Sequence, residues 1–377
     1  MKKKKVFTIF AAVIAVALLL SACGSGSTSQ TQDTQAPAQN TQTPAQTTQT
    51  PASTNDTPSG GTADAAEPAA EIKWHITIPG KSGSLCNSVT YVAYEKGFFA
   101  EEGIDAELIS SNFEANKVGL ANGTISTVNG DFQFFPSIEA GVQMVIVDGL
   151  HQGCIKLQVL PDSPIQGVED LVGAKIGVDE IGGTPHQVAL LWLAQNGIDA
   201  TQVTFLPFDG GAVELEALEN GAIDVAAMWD PLASTAEKAG SVRNLLDIGA
   251  DEPFAGHYCC FLYASKKLVE EQPELIAAEL RAYHKAQAWI NANPEEAVQL
   301  VTETGYVSTE DLELAAQLIA HYHYPAENEH GHGGGGVDVG EDVRYFAEAL
   351  YEIGFLTTPP DEYVAQAYAE INLNLGL

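Results

Sequence analysis

The sequence predicts an α/β protein with two similar lobes, and three observations indicate this. Strand and helix patterns alternate from Ile72 onward, as in sheets that carry helices on both faces. The segments LANGTISTV (120–128) and LENGAIDVA (218–226) share Leu-x-Asn-Gly-x-Ile and lie 98 residues apart. The chain has 377 residues, 45% of them hydrophobic, so it is long enough to fill two cores. We interpret the shared segment as a duplicated helix–Gly–strand unit, with chance similarity as the alternative.

The elements follow in order along the chain. Residues 72–78 predict a strand, residues 87–103 a helix that runs into a glycine turn, and residues 104–109 a second strand. After residue 264 the strand patterns fade. Four later segments predict helices, several with Pro, Ser or Thr at the start: 268–292, 294–304, 309–323 and 340–353.

The charge balance excludes some classes of function. The chain has 17 basic and 50 acidic residues, a net charge of −33. If residues 2–5 are removed with a signal peptide, 13 basic residues remain and the net charge is −37. Such a surface repels nucleic acid and has no basic patch for anionic lipid headgroups. We therefore expect no nucleic-acid partner.

The N-terminus has the pattern of an export signal. Four lysines (2–5) precede an apolar run of 15 residues (6–20), which is too short to span a bilayer comfortably. The run ends in Leu-Ser-Ala before Cys23, which resembles the lipobox of bacterial lipoproteins. That resemblance implies a signal peptide over 1–22 and a lipid on Cys23 that anchors the protein to the extracytoplasmic face of the cell membrane. An ordinary secretory peptide with an unrelated cysteine is the alternative.

Residues 23–71 predict a tether. Ser, Thr, Gln, Pro, Ala and Gly dominate this stretch, which has almost no large apolar side chains. It cannot bury enough surface to offset the entropy of ordering, so we expect it to be disordered. A chain of this length reaches on the order of 40 Å.

Three motifs carry a family resemblance. They are YVAYEKGFFAEEGIDAEL (91–108), DSPIQGVEDLVGAKIGV (162–178) and ENGAIDVAAMWDPLASTAEKAG (219–240). In this order and spacing they resemble the ABC-transporter substrate-binding proteins for nitrate, sulfonates, taurine and thiamine-precursor pyrimidines (NMT1/THI5-like). The agreement extends from about residue 72 to 290.

The resemblance implies a two-lobe fold of the type II periplasmic-binding class. Lobe one is expected over 72–160 plus 261–377, and lobe two over 161–260. Two strands, 154–160 and 259–265, would cross between the lobes as a hinge. A monomer without a cofactor is implied, with an ABC permease and, through it, the ATPase as partners.

The clearest element of a ligand site is the segment GGTPHQVALLWLAQNG (182–197). Thr184 is a good helix N-cap, Pro185 suits the first helical position, and Gly197 ends the helix. The backbone N–H groups after Gly183 would attract an acceptor-bearing ligand, and His186 can donate or accept. A plain capped helix is the alternative, but the resemblance implies that the ligand binds at this turn.

Other loops offer polar and aromatic groups to a ligand. In 80–87 these are Ser84 and Asn87, with a plain connecting loop as the alternative. In 129–137 Asp131 could fix an amino group and Phe132 could stack on a flat ring. In 228–232 Trp229 could form an aromatic wall and Asp230 could accept a hydrogen bond, with structural packing of Trp229 as the alternative.

Four cysteines remain besides Cys23, at positions 86, 154, 259 and 260. The crossing strands would bring Cys154 near the Cys259–Cys260 pair, so buried free thiols or a disulfide are the favoured interpretation. The alternative is a thiol or metal cluster facing the cleft. It would comprise Cys86, His151, Cys154 and Cys260, which suit zinc or copper(I).

A histidine-rich segment (321–336) contains His321, His323, His330 and His332. Four imidazoles could take a metal, but the following glycine run predicts a mobile surface loop. We therefore expect no metal here.

The sequence is compatible with three functions. A transport binding protein is favoured, because export signal, tether, lobes and motifs agree. A metal-binding lipoprotein is the second hypothesis. The third is an enzyme like the fungal thiamine-pyrimidine synthase, which the chain resembles at HYCCFLYAS (257–265) with a sparser cysteine run. No catalytic arrangement is readable, so we expect no enzyme. The acidic and aromatic candidates favour a pyrimidine-like or other nitrogenous ligand over a sulfonate, taurine or nitrate.

Overall fold

A computed structural model describes residues 71–80, 83–325 and 338–377. The expected signal peptide, Cys23 and nearly all of the tether lie outside these residues, as do His330, His332 and Lys81, the basic residue of the loop 80–87. Within the described part of the chain, no helix has the length and apolar character needed to cross a bilayer.

The described strands are, in chain order, β1 Trp74–Pro79, β2 Ile104–Ile109, β3 Thr127–Asp131, β4 Met144–Gln152, β5 Ile155–Val159, β6 Lys175–Val178, β7 Thr204–Pro207, β8 Val225–Trp229, β9 Arg243–Asp247 and β10 Tyr258–Ser265. The predicted strand 104–109 coincides with β2, and the predicted strand 72–78 is β1 shifted by one or two residues.

The described α-helices are α1 Ser88–Glu95, α2 Phe98–Glu101, α3 Phe113–Asn122, α4 Phe135–Glu139, α5 Thr184–Gln195, α6 Gly211–Glu219, α7 Leu232–Lys238, α8 Lys266–Glu271, α9 Pro273–Ala292, α10 Pro294–Glu303, α11 Leu312–His321, α12 Val339–Glu352 and α13 Pro360–Ala367. Two predicted helices are each divided in two. Gly97, with φ of +79°, separates α1 from α2, and Pro273 starts α9 because proline cannot continue α8.

The described strands form three sheets. β1 and β2 pair in parallel, and β10 lies between β3 and β4, antiparallel to both. The third sheet has the order β7-β6-β8-β5-β9. In it β6 is parallel to β7 and β8, whereas β5 is antiparallel to β8 and β9. The predicted α/β class is confirmed.

The two segments predicted to cross between lobes each lie within one sheet. Residues 154–160 contain β5 of the five-stranded sheet, and residues 259–265 lie in β10 of the three-stranded sheet. The chain passes between these sheets at Gly153–Cys154 and returns through residues 248–257. Gly153 and Cys154 have φ of +63° and +138°, so the strand direction breaks there and the passage is shorter than predicted.

The internal repeat has the same local structure in both copies. α3 is followed by Gly123 (φ +80°) and β3, and α6 is followed by Asn220, Gly221 (φ +71°) and β8. A left-handed residue after the last helical turn lets the terminal carbonyls find partners, and glycine adopts it without strain. The predicted helix–Gly–strand unit is confirmed, and β3 and β8 lie in different sheets.

A buried carboxyl group in the five-stranded half makes stability depend on pH. Glu214 on α6 is 1% exposed, and its Oε1 accepts a hydrogen bond from the N–H of Ala227 at 2.7 Å. Burial raises the pKa of Glu214 to about 8, which the Ala227 bond only partly offsets. In the unfolded chain a Glu has a pKa of about 4.3.

Between these two pKa values the folded protein holds a proton that the unfolded chain has lost. Stability therefore falls as pH rises, by about 1.4 kcal/mol per pH unit for this group. We expect Glu214→Gln to remove the contribution of Glu214 to this pH dependence of stability between pH 5 and 8. The fold should survive the change, because the amide oxygen of Gln can still accept from the N–H of Ala227. Urea unfolding across this pH range measures the pH dependence. The exposed Glu216 on the same helix is the control, and equal slopes in Glu214→Gln and Glu216→Gln would contradict the prediction.

Candidate ligand-binding cleft

A cavity of about 380 Å³ opens between the three-stranded and five-stranded sheets. That volume suits a small molecule. Four chain segments line it: the loop before α1 (Gly83, Ser84, Cys86, Asn87), the end of β3 (Asn129, Gly130, Asp131), the end of β8 with the turn after it (Trp229, Asp230, Pro231), and Cys260 on β10. None of these lining residues is basic. The cavity brings together seven of the predicted site residues: Ser84, Cys86, Asn87, Asp131, Trp229, Asp230 and Cys260.

The loop before α1 is held in place by side-chain bonds to its backbone. Ser84 caps a short 3₁₀ turn (Leu85–Asn87), and its Oγ accepts from the N–H of Cys86 at 3.2 Å. The Nδ2 of Asn129 donates to the carbonyl of Cys86 at 2.7 Å. This bond ties the loop to β3, so the loop is a positioned wall of the cavity.

Asp131 ends β3 and faces the cavity. Its Oδ1 accepts from the N–H of Gln133 at 3.0 Å, and its own carbonyl accepts from the hydroxyl of Tyr263 at 2.7 Å. Burial, and secondly the nearby Cys260, raises the pKa of Asp131 to about 7, which the neighbouring Thr184 hydroxyl partly offsets. A carboxyl group held this way can accept from a ligand N–H.

Phe132 does not face the cavity. Its ring is fully buried and stacks on Phe346 of α12, with the ring centroids 4.6 Å apart. The expectation that Phe132 stacks on a ligand is thereby corrected. The residue opens a 3₁₀ turn (Phe132–Phe134), and that turn directs the side chain into the core.

Trp229 and Asp230 differ in what they can offer. The indole Nε1 of Trp229 donates to Asp179 Oδ2 at 2.9 Å, which holds the ring at the cavity edge. Asp230 Oδ1 accepts from the N–H and hydroxyl of Ser234 at 3.1 and 2.7 Å, and Oδ2 lies 3.9 Å from Lys156 Nζ. Burial raises the pKa of Asp230, which Lys156 opposes. The Asp230 carboxylate is therefore largely engaged by the protein.

The segment 182–197 forms α5, but its first turn is not part of the cavity lining. Gly183 rather than Thr184 is the N-cap, and Thr184 is the first helical residue. His186 Nδ1 accepts from the N–H of Gly182 at 3.0 Å, and the ring packs edge-on against Phe205 at 4.4 Å. Burial lowers the pKa of His186. His186 thus stabilises the turn from within, whereas the buried Thr184 hydroxyl lies near Asp131.

Several polar residues at the edge of the cavity were not predicted from the sequence. Asn129 lines the cavity, Asp179 holds Trp229, and Gln133 Nε2 donates to Glu180 Oε1 across the cleft. Asp179 and Glu180 follow β6, and Gln133 follows β3. α/β proteins bind ligands just beyond the carboxyl ends of their strands. The position of these polar residues directly after β6 and β3 was therefore the sequence signal that could have identified them.

The four described cysteines are buried free thiols. The sulfur atoms of Cys154 and Cys259 are 3.3 Å apart, so the predicted proximity of Cys154 to the Cys259–Cys260 pair is confirmed. Cys86, His151, Cys154 and Cys260 also lie together, with their ligand atoms all within 4.8 Å of one another. Hydrogen bonds from the other thiols, Cys154 first, lower the pKa of Cys260, whereas burial raises the pKa of Cys154.

The histidine-rich segment is described only in part. His321 ends α11, and its ring centroid lies 5.3 Å from that of His323. Burial, and secondly His321, lowers the pKa of His323.

The sequence matches a known protein family over more than half of the chain. Residues 87–297 match the family described as NMT1/THI5 like. The chain belongs to this family. Among relatives of the NMT1/THI5-like chain, a "Putative binding protein" of Brucella abortus is 23% identical over 249 residues, covering 64% of this chain and 76% of that protein. The "Putative aliphatic sulfonates-binding protein" of Escherichia coli is 31% identical over 189 residues, covering 48% and 54%.

Solved structures of similar fold include two solute-binding proteins. The alkanesulfonate-binding protein of Xanthomonas axonopodis pv. citri, bound to MOPS, matches with a TM-score of 0.61 and 17% identity over 80% of this chain and all of that one. The nitrate-binding protein of Synechocystis PCC 6803 matches with a TM-score of 0.59 and 17% identity, covering 80% and 87%. The NMT1/THI5-like chain thus has the periplasmic-binding-protein fold, as predicted.

Proposed function

We propose that this chain is an extracytoplasmic solute-binding lipoprotein that captures a small nitrogenous molecule and delivers it to an ABC importer. The family membership and the names of the similar proteins support a binding protein of an import system. The cavity between the two sheets supplies the place for a small solute. The permease and its ATPase would be the partners.

The choice of ligand rests on the charge of the cavity. Asp131 points a carboxyl group into it, and no Lys or Arg belongs to its described lining. Lys156, a buried lysine nearby, is paired with Asp230 and Asp247. An oxyanion would find no cation in the described lining, and Asp131 would have to be protonated beside it. A protonated or amino-bearing ring can instead donate to Asp131 and rest against Trp229.

Release of the ligand would need the two halves to separate. The proposed lobes are residues 72–160 plus 261–377 and residues 161–260. Gln133 and Glu180 already meet across the cleft, and the short passage at Gly153–Cys154 could act as the hinge. A second contact of this kind is the approach of Thr184 to Asp131.

A panel of small molecules tests the function. Aminopyrimidines and small protonated amines are compared with alkanesulfonates, taurine and nitrate by calorimetry and thermal unfolding. A nitrogenous ligand at about 100 times its Kd is expected to add about 2.7 kcal/mol to the unfolding free energy. Binding of sulfonate or nitrate alone would overturn the ligand class but keep the binding protein. Binding of no compound would contradict the transport function.

The lipid anchor at Cys23 rests on the sequence. Radioactive palmitate should label the wild-type protein in growing bacteria and should not label Cys23→Ser. Equal labelling of both would contradict the anchor.

The similar proteins are described as binding proteins, which supports a carrier rather than an enzyme. We expect the ligand recovered from the purified protein to be chemically unchanged. Iron-dependent conversion of a bound pyrimidine or its precursor would instead favour the synthase-like alternative.

A further inference from the structure

The cluster of Cys86, His151, Cys154 and Cys260 joins four separate parts of the fold. Cys86 lies in the 3₁₀ turn before α1, His151 in β4, Cys154 in the passage to β5, and Cys260 in β10. All four side chains are buried, with at most 7% of their surface exposed. Their ligand atoms lie within 4.8 Å of one another.

The histidine of the cluster is oriented as a ligand. His151 Nδ1 lies 3.1 Å from the carbonyl of Gln152, to which it can donate its proton. That tautomer leaves the lone pair on Nε2, which is buried and has no hydrogen-bond partner in the described part of the chain. Metal-bound histidines typically donate their second ring nitrogen to a backbone carbonyl in this way. The ring is fixed by stacking on Tyr322 at 4.7 Å.

The backbone at Cys154 is a second sign of a built site. Its φ of +138° is rare for a residue with a side chain, and such conformations persist only where the surroundings impose them. The neighbouring Cys259 has a different role, because its thiol donates to the carbonyl of Gly153 at 2.9 Å. Its Sγ also lies 3.3 Å from that of Cys154 and 3.7 Å from that of Cys260, but Cys259 is not among the four residues whose ligand atoms all lie within 4.8 Å of one another.

We propose that Cys86, His151, Cys154 and Cys260 bind one zinc ion. Three thiolates and one imidazole are a common tetrahedral set for zinc, with Zn–S near 2.3 Å and Zn–N near 2.0–2.1 Å. Tetrahedral geometry puts the sulfur atoms about 3.8 Å apart, so the donors need to move inward by about 1 Å or less. Zinc with three thiolates has a net charge of −1, whereas copper(I) with the same ligands has a net charge of −2. Burying the larger charge costs more free energy.

The zinc site closes the floor of the cavity. Cys86 and Cys260 line that cavity, and Asp131 is the strand partner of Cys260. Four protein ligands make the site structural rather than catalytic. A bound ion would fix the loop before α1 to β4 and β10 and to the start of the passage into the five-stranded sheet. This inference does not depend on which solute the cavity holds.

Elemental analysis of the full chain tests the site. The protein is purified without a histidine tag under reducing conditions, without added solute, and its metal content is measured by mass spectrometry. One zinc per chain is expected, and cobalt(II) in its place should give intense thiolate-to-cobalt charge-transfer absorption. Cys86→Ser and His151→Gln should each weaken zinc binding by more than about a hundredfold.

Matched controls separate this site from its neighbours. Cys259→Ser removes a buried thiol beside the cluster, and His321→Ala removes a histidine of the histidine-rich segment. Both should keep one zinc per chain and the cobalt spectrum. Circular dichroism identifies any variant that fails to fold, and the remaining variants then decide. No zinc in the wild type, copper in its place, a Cys154–Cys259 disulfide in protein purified anaerobically without reductant, or equal loss in Cys259→Ser would each overturn the proposal.

Discussion

Replacing Asp131 with Asn is expected to weaken binding of a positively charged nitrogenous ligand by roughly 30- to 1000-fold. Asp131 is the carboxyl group at the end of β3 in the cavity lining, and no described lining residue carries a positive charge. Removing one partner of a desolvated charged hydrogen bond costs about 2–4 kcal/mol. Asn keeps an oxygen for the N–H of Gln133, so the 3₁₀ turn after β3 should survive. Calorimetric titration with a ligand identified from the panel measures the change.

The matched control for this change is Asp162→Asn. Asp162 is exposed and follows β5, and it is not part of the described cavity lining. The same charge is removed from the protein, so a general electrostatic effect would appear in both variants. We expect Asp162→Asn to bind within about twofold of wild type. Equal affinities for Asp131→Asn and wild type would place the ligand charge elsewhere.

Replacing Lys156 with Met is expected to lower the unfolding free energy by about 3–5 kcal/mol. The ammonium group is 5% exposed and lies between two acidic partners, 3.9 Å from Asp230 Oδ2 and bonded to Asp247 Oδ2. Without it, two carboxylates remain in a largely buried site with no cation. The cost is the uncompensated charge, since Met nearly matches the volume of the lysine stem. Urea unfolding near pH 7 measures it.

Lys238→Met gives the comparison for an exposed ion pair. Lys238 bonds Asp311 at 2.5 Å, but its side chain is 50% exposed. Exposed pairs contribute only about 0–1 kcal/mol, so this variant should lose little stability. The Lys156→Met deficit should also shrink at low pH, because burial raises the pKa of Asp230 and its protonation removes one of the uncompensated charges. A loss below about 1 kcal/mol for Lys156→Met would contradict a charge-pairing role.

The positions of His186 and Phe132 could not be predicted from the local sequence pattern alone. The segment 182–197 identified α5 within a residue or two, because its Gly-Gly-Thr-Pro start and its glycine end are local signals. Whether His186 faces the cavity depends on Phe205 and Phe355, which pack against it from other elements. Phe132 likewise lies in the core because Phe346, more than 200 residues later, provides its stacking partner.

The sequence by itself determined the α/β class, the repeated helix–Gly–strand unit and the family. Hydrophobic periodicity, the residues that begin and end helices, and the order of motifs are all local properties of the chain. It also identified most of the cavity-lining residues as candidates. Only the tertiary structure decided which groups meet. It places Asp131 and Asp230 in a cavity whose described lining has no basic residue, and it brings together the side chains of Cys86, His151, Cys154 and Cys260. Those contacts join strands distant in sequence, and strand pairing across two sheets fixes their distances.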